Sequence, residues 1–311
     1  MHKKISVGLT VTILIIVIII TAIITTIVTM TAFSTIVSDI PEREQMYNSI
    51  AQIDSIVRNN YYGTIDEDAI NNSIADGYLL ALDGYNAILT KDEYADYLLK
   101  KSGVDKDGNK ITTVTYKKFG SAGYIKFHDF SDNTVDEFKD AYDVMVNNSV
   151  TSLIIDVRNT NSINIEVAAD IIDMIVPIAS DGTGAIATAT DKNGEIVKVF
   201  SSDSSSISIP VAVIVNENTA GAGELIACDL KDFGKGVIVG TTTSGNGTYQ
   251  EIFELSDGSA VILTVAELTP YMSDSYNGKG LTPDFVCEQT LQSDDLNNDK
   301  QFLQAYALVI N

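Results

Sequence analysis

The chain of 311 residues has no tryptophan, two cysteines and two histidines, and its 20 Lys and Arg are outnumbered by 42 Asp and Glu. Each shortage excludes a class of function. Two cysteines cannot build a disulfide framework or a thiolate metal site. A formal charge of −22 without a basic cluster excludes nucleic acid as a partner, because phosphate binding needs grouped Lys and Arg. The acidic residues are dispersed rather than blocked into a tail, which reads as a solvated acidic surface. No Gly-rich phosphate loop and no His-Glu-x-x-His run occurs, so no cofactor and no metal is expected. Asp105-Lys106-Asp107-Gly108-Asn109 has the look of a calcium loop but lacks the later ligands, and it reads as a hairpin turn.

Long apolar runs, by contrast, are present. From Ile5 to Ser38 the chain carries no charge, and Leu9 to Phe33 is almost wholly Ile, Val, Leu, Ala and Thr. Such a run meets the roughly 20 apolar residues that a membrane helix needs. Lys3 and Lys4 precede it and Asp39, Glu42 and Glu44 follow, so the positive-inside rule puts the N-terminus in the cytoplasm and the rest outside. A cleaved signal peptide is the rival reading, but its apolar region is usually about 7–15 residues. An uncleaved signal anchor fits better. The expected location is a single-pass cell-membrane protein with an extracytoplasmic C-terminal domain.

Beyond the anchor, Met46, Ile50, Ile53, Ile56 and Val57 recur at three- and four-residue spacing, which predicts a helix with one buried face. Asp66 is a candidate N-cap for a second helix to Leu82, and Thr90 opens a short third one through Tyr97. After the Asp105–Asn109 turn, Ile111 to Tyr116 alternates as a strand. From Gly123 strands and helices alternate. Strands are expected at Tyr124–Phe127, Ser152–Val157, Ala185–Ala189, Ile196–Phe200, Val211–Val215 and Ala260–Ala266. Helices are expected at Thr134–Asn147, Ile165–Ile175 and Lys300–Val309. Runs apolar on both faces between helices argue for a layered α/β core. The organisation read from this is an anchor over 1–38, a helical segment with a hairpin linker over 39–119, and an α/β core over 120–311.

The densest motif is VAVIVNENTAGAGELIACDLKDFGKGVIVGTTTSGNGTYQ, from Val211 to Gln250. A buried strand leads into small residues, a helix beginning near Glu224, a strand ending at Val239-Gly240, and a glutamine. This segment resembles the signature of the tail-specific (C-terminal processing) serine peptidase family. The run IIDVRNTNSIN resembles that family's Asp-Leu-Arg-x-Asn-x-Gly-Gly oxyanion loop, and YNGKGLTPDFVCE resembles its closing Gly-x-Pro-Asp strand. The resemblance spans about 45–311 and implies a ClpP/crotonase-like spiral core.

It also implies where the chemistry belongs, and the residues there are wrong for it. A serine hydroxyl should attack, a neutral lysine should take its proton, and backbone N–H groups should hold the oxyanion. The nucleophile position is Gly221 and the base position is Asn246, between Gly245 and Gly247. Glycine has no side chain, and an amide is no base near neutral pH. The two oxyanion-loop glycines align with Ser162 and Ile163, and a β-branched residue closes backbone angles that glycine leaves open. Gln250, which positions the lysine in the family, is in place, bonded here to Asn246 or to backbone. The family's PDZ domain has no counterpart, since only Lys100 to Phe119 separates the helices from the next strand.

The expected function is a pseudopeptidase that binds a peptide or exported protein in the relic cleft. The alternative is an active serine-type endopeptidase, processing C-terminal tails of exported proteins through a rearranged site with Thr219 or Ser244 as nucleophile. His128, Lys231 and Lys235 are the other candidates for chemistry, and each reads better as a structural or solvated residue. Cys228 reads as a buried structural thiol, and its pairing with Cys287 is left open, as is homo-oligomerisation.

Overall fold

A computed structural model of the protein describes residues 40–82, 84–178, 184–203, 206–288 and 295–310, with isolated positions between 17 and 25. Most of the expected anchor Leu9–Phe33 lies outside the described residues, and among those described no helix is long and apolar enough to cross a membrane. Two units divide the chain, residues 1–69 and 70–311.

In the first unit, α1 (Ile40–Asn60) is the expected helix, but its apolar face is not buried. Ile53 and Ile56 are exposed, and Met46, Ile50 and Val57 are half-buried. The periodicity gives the helix correctly, whereas burial depends on a partner surface that periodicity does not encode. Arg58 ties the end of α1 to the start of α2 (Glu67–Leu80), pairing with Asp54 and with Glu67 at 2.7 Å. Asp66 caps α2 by accepting from Ala69 N–H at 3.0 Å.

In the second unit, Thr90 starts α3 (Lys91–Lys101) with a reciprocal capping box to Glu93. This helix outruns the expected end at Tyr97 by a turn. It follows β1 (Ala87–Leu89), a short strand that local pattern does not announce. Asp105 accepts from the N–H groups of Asp107 and Asn109, and Val104 bridges Lys110, so this segment is the hairpin turn expected of it. The next strand, β2 (Val114–Phe119), lies three residues later than its alternation suggests. Its register is fixed by pairing with β3 (Ala122–Phe127), Val114 opposite Phe127, through a turn at Gly120.

The main sheet has the order β13-β10-β8-β4-β3-β2, built from β4 (Ser152–Asp156), β8 (Val211–Val215), β10 (Gly236–Gly240) and β13 (Phe285–Val286) beside β2 and β3. All its pairings are parallel except β2 with β3. Alternate side chains serve opposite faces, as the pleat requires. Val211, Val213 and Val215 join the larger core with α4 (Thr134–Asn147), α5 (Ile165–Ile175) and α6 (Ala222–Asp232). Ala212 and Ile214 face the other way, onto Phe302, Ala305 and Val309 of α7 (Lys300–Ile310). Both faces are therefore covered, which is why these strands read as unbroken apolar runs.

A second sheet is antiparallel. It contains β6 (Ala185–Thr190), β7 (Ile196–Ser201), β11 (Thr248–Glu254) and β12 (Ala260–Pro270), with β1 along one end of β12. A third ladder is only two residues deep: β5 (Asn161–Ser162) pairs in parallel with β9 (Ala220–Gly221). This small ladder decides the geometry of the site.

Candidate functional site

The turn from β9 into α6 places Gly221 at the N-cap with φ +58° and ψ −114°. A side chain is strained at such angles, and sharp strand-to-helix turns of this sort are used elsewhere to lift a nucleophile out of the backbone. A Cβ built on Gly221 would stand 3.8 Å from Nδ2 of Asn246, so the two positions that the sequence singles out do face each other. The same Cβ would overlap the carbonyl oxygen of Ser162, more closely than real Cβ atoms approach any neighbour. Strand β5 lies directly over the place where a nucleophile would start.

Ser162 and Ile163 set the backbone over this point. Neither adopts positive φ; among the described non-glycine residues only Ser149 and Asn159 do. The segment takes ordinary backbone angles and turns a carbonyl acceptor toward position 221. Oxyanion stabilisation needs N–H donors there instead.

The frame around this point is held by Glu224, which is fully buried. Its carboxylate accepts from the N–H of Gly221 at 3.1 Å, of Gly245 at 2.7 Å and of Asn246 at 2.8 Å, and from the hydroxyl of Thr243. Burial raises its pKa, and these four donors pull against that rise. The turn before α6 and the 243–246 loop are thus clamped to one carboxylate. The sequence marks Glu224 only as the start of a helix; three of its donors are main-chain groups, which no residue pattern announces.

Asn246 is 2% exposed, and its Oδ1 accepts from Thr248 at 2.7 Å. Gln250 is bonded to backbone, not to Asn246: its Nε2 donates to the carbonyl of Tyr85. A buried ion network lies behind the loop. Arg158 contacts Asp156 at 2.6 Å and Asp299 at 2.7 Å, and Tyr124 donates to Asp156 at 2.6 Å. Burial would raise the pKa of Asp156, but the hydrogen bonds and charge of Arg158 hold it below the usual carboxylate range. This network joins the end of β4 to the start of α7.

The substitutes for a catalytic group are not assembled. Thr219 is fully buried, and its hydroxyl is engaged with the carbonyl of Val157 and the side chain of Asn216. Ser244 is exposed on the loop, its N–H bonded to the carbonyl of Thr219. His128, one residue past β3, bonds Thr115 of β2 at 2.9 Å. Lys231 pairs with Asp284 at 2.6 Å, and Lys235 donates to the carbonyl of Ile207. Cys228 and Cys287 are both free thiols.

Residues 121–287 match peptidase family S41. The chain belongs to that family. The chain is 31% identical over 176 residues to a chloroplastic C-terminal processing peptidase of Tetradesmus obliquus, covering 56% of this chain and 37% of that protein. A carboxyl-terminal-processing protease of Synechocystis is 30% identical over 173 residues, covering 56% and 39%. The chain thus spans well under half the length of these relatives. Among solved structures, a photosystem II D1 C-terminal processing protease superposes with a TM-score of 0.52 at 29% identity, over 61% of this chain and 52% of that one. A lipoprotein from Streptococcus agalactiae shares the fold more broadly, with a TM-score of 0.61 at 17% identity over 79% and 83%. The mixed α/β architecture expected from the sequence is the S41 architecture.

Proposed function

We propose that this S41 member is a membrane-anchored, extracytoplasmic pseudopeptidase that binds a peptide or exported protein beside its former reaction centre. Its core is read as a ClpP/crotonase-like spiral, and Leu9–Phe33 as the anchor. The observation that carries the reading is the carbonyl of Ser162, which overlaps any Cβ at position 221. Gly221 and Asn246 already lack nucleophile and base, and a carbonyl in that place also repels a developing oxyanion. The hairpin over 102–113, between α3 and β2, supports a protein that works without a PDZ module for reading substrate tails. Sequestering or regulating a partner fits a cleft that can hold a chain without cutting it.

The test is intact-mass spectrometry of unfolded exported proteins incubated with the full-length chain, alongside labelling by a fluorophosphonate probe. The expected outcome is neither cleavage nor label. Specific cleavage that disappears when Thr219, Ser244 or His128 is replaced would overturn the reading and establish the rearranged-site alternative.

A further inference from the structure

Beside the sealed reaction centre lies a cleft of about 630 Å³ between α3, α5 and β11. Its walls combine aliphatic residues with tyrosines and carboxylates: Tyr94 and Tyr97 from α3, Glu166 and Asp170 from α5, Tyr249 and Glu251 from β11. Lys101 is a basic residue in the lining, and it is already paired with Asp132 at 2.8 Å. Asp170 and Glu251 are exposed and have no ion-pair partner among the described residues. Glu166 accepts from the hydroxyl of Tyr249 at 2.8 Å and meets Lys198 only at 3.7 Å. The resulting negative field is felt by the walls. The pKa of Asp170 is raised by burial and by Asp173 and Glu166. That of Tyr97 is raised by burial and by Asp132, Asp129 and Glu166.

One further observation points to what the cleft takes. Among the described residues strand β11 pairs with β12 along one edge only, which leaves its other edge open to an added strand. Unpaired carboxylates and tyrosine faces both favour a cation. A second copy of this chain is disfavoured as the occupant, because its own charge of −22 repels the same field.

We propose that this cleft receives an extended, lysine- or arginine-bearing segment of a partner protein, laid along the open edge of β11. The inference rests on the peptide-binding reading above and adds the chemistry of the bound segment. Basic side chains meet Asp170, Glu166 and Glu251. The sealed centre next to the cleft leaves the held segment uncut.

The test measures fluorescence anisotropy of labelled dodecapeptides of Lys-Val-Ser repeats against the full-length chain, beside versions with Gln or Glu for Lys. The Lys peptide is expected to bind about tenfold more tightly than the Gln peptide, with added salt narrowing the gap. The Glu peptide should not bind. Asp170→Asn/Glu251→Gln should lower Lys-peptide affinity to the Gln level, and the control pair Asp140→Asn/Asp143→Asn on α4 should not. Equal affinity for Lys and Gln peptides overturns the charge preference and leaves peptide binding standing. Equal losses in both variant pairs overturn the assignment to this cleft. Binding by none of the peptides overturns both readings. Cleavage of the Lys peptide, abolished by Asp170→Asn/Glu251→Gln, supports the cleft preference and overturns the pseudopeptidase.

Discussion

Two carboxylates on α6, Glu224 and Asp229, are both fully buried, and they live in opposite circumstances. Glu224 collects four donors. Asp229 accepts from the N–H of Tyr271 at 3.1 Å, and its Oδ2 has no partner among the described residues. Burial raises both pKa values, and only at Glu224 does a full set of donors oppose it. The contrast explains how an S41 frame persists around Gly221 and Asn246. Three of the four donors to Glu224 are main-chain N–H groups, which any residue except proline supplies. The identities at 221 and 246 can therefore change without loosening the clamp. The frame depends on Glu224 and makes no use of the side chains at 221 and 246.

The largest effect should follow Glu224→Gln. In either orientation the amide sets an NH2 against at least one N–H donor where a carboxylate oxygen now accepts, at a cost of about 3 kcal/mol. Asn246→Ala, which keeps the main-chain N–H and loses only the bond from Thr248, should cost about 1 kcal/mol. Denaturant unfolding of both variants checks the ratio, and equal losses would break the distinction between frame and side chain.

Gly221→Ser comes next. A side chain at φ +58° that also meets the Ser162 carbonyl should cost about 2 kcal/mol. Gly221→Ser/Asn246→Lys should remain inactive toward an unfolded protein, because β5 still covers the new hydroxyl. Adding Ser162→Gly and Ile163→Gly frees that loop, and any recovered hydrolysis should appear only then. Activity in the double variant alone would show that β5 opens unaided.

How much of this was legible beforehand depends on the range of the contact. The helix Ile165–Ile175 and the strand Val211–Val215 fall where their apolar runs put them, because burial on all sides leaves a local mark. The Thr90 capping box is equally local. Strand β1 is three residues long and takes its conformation from pairing with β12, which no run of neighbouring residues encodes. Family spacing singles out positions 221 and 246, but not the overlap at 221, which comes from a two-residue ladder that brings Ser162 to Gly221. Gln250 finds its acceptor at Tyr85, far away along the chain, and its unsatisfied oxygen is a property of the fold alone. The exposed face of α1 shows the converse: a clear periodic signal states that a face exists, and not what covers it.

The smallest effect is a change of slope at Asp229. Burial raises its pKa well above the ordinary value, the Tyr271 N–H opposes, and Asp232 adds to the rise. In the unfolded chain an aspartate titrates near ~3.9. The protonated form is thus favoured by folding, so its contribution is fully present below the unfolded value and is lost as pH rises through the folded one. Glu224, raised as well, gives a slope of the same sign, and Cys228 and Tyr276 beside Asp229 are pushed up by burial and stay neutral through this window. Asp229→Asn carries no titrating group and isolates one contribution. Its melting temperature should match that of the parent in acid and fall less steeply as pH rises, so the variant becomes the more stable of the two toward neutral pH. An unchanged slope would mean that Asp229 stays ionised in the fold with a partner for Oδ2, and the two carboxylates would then be alike.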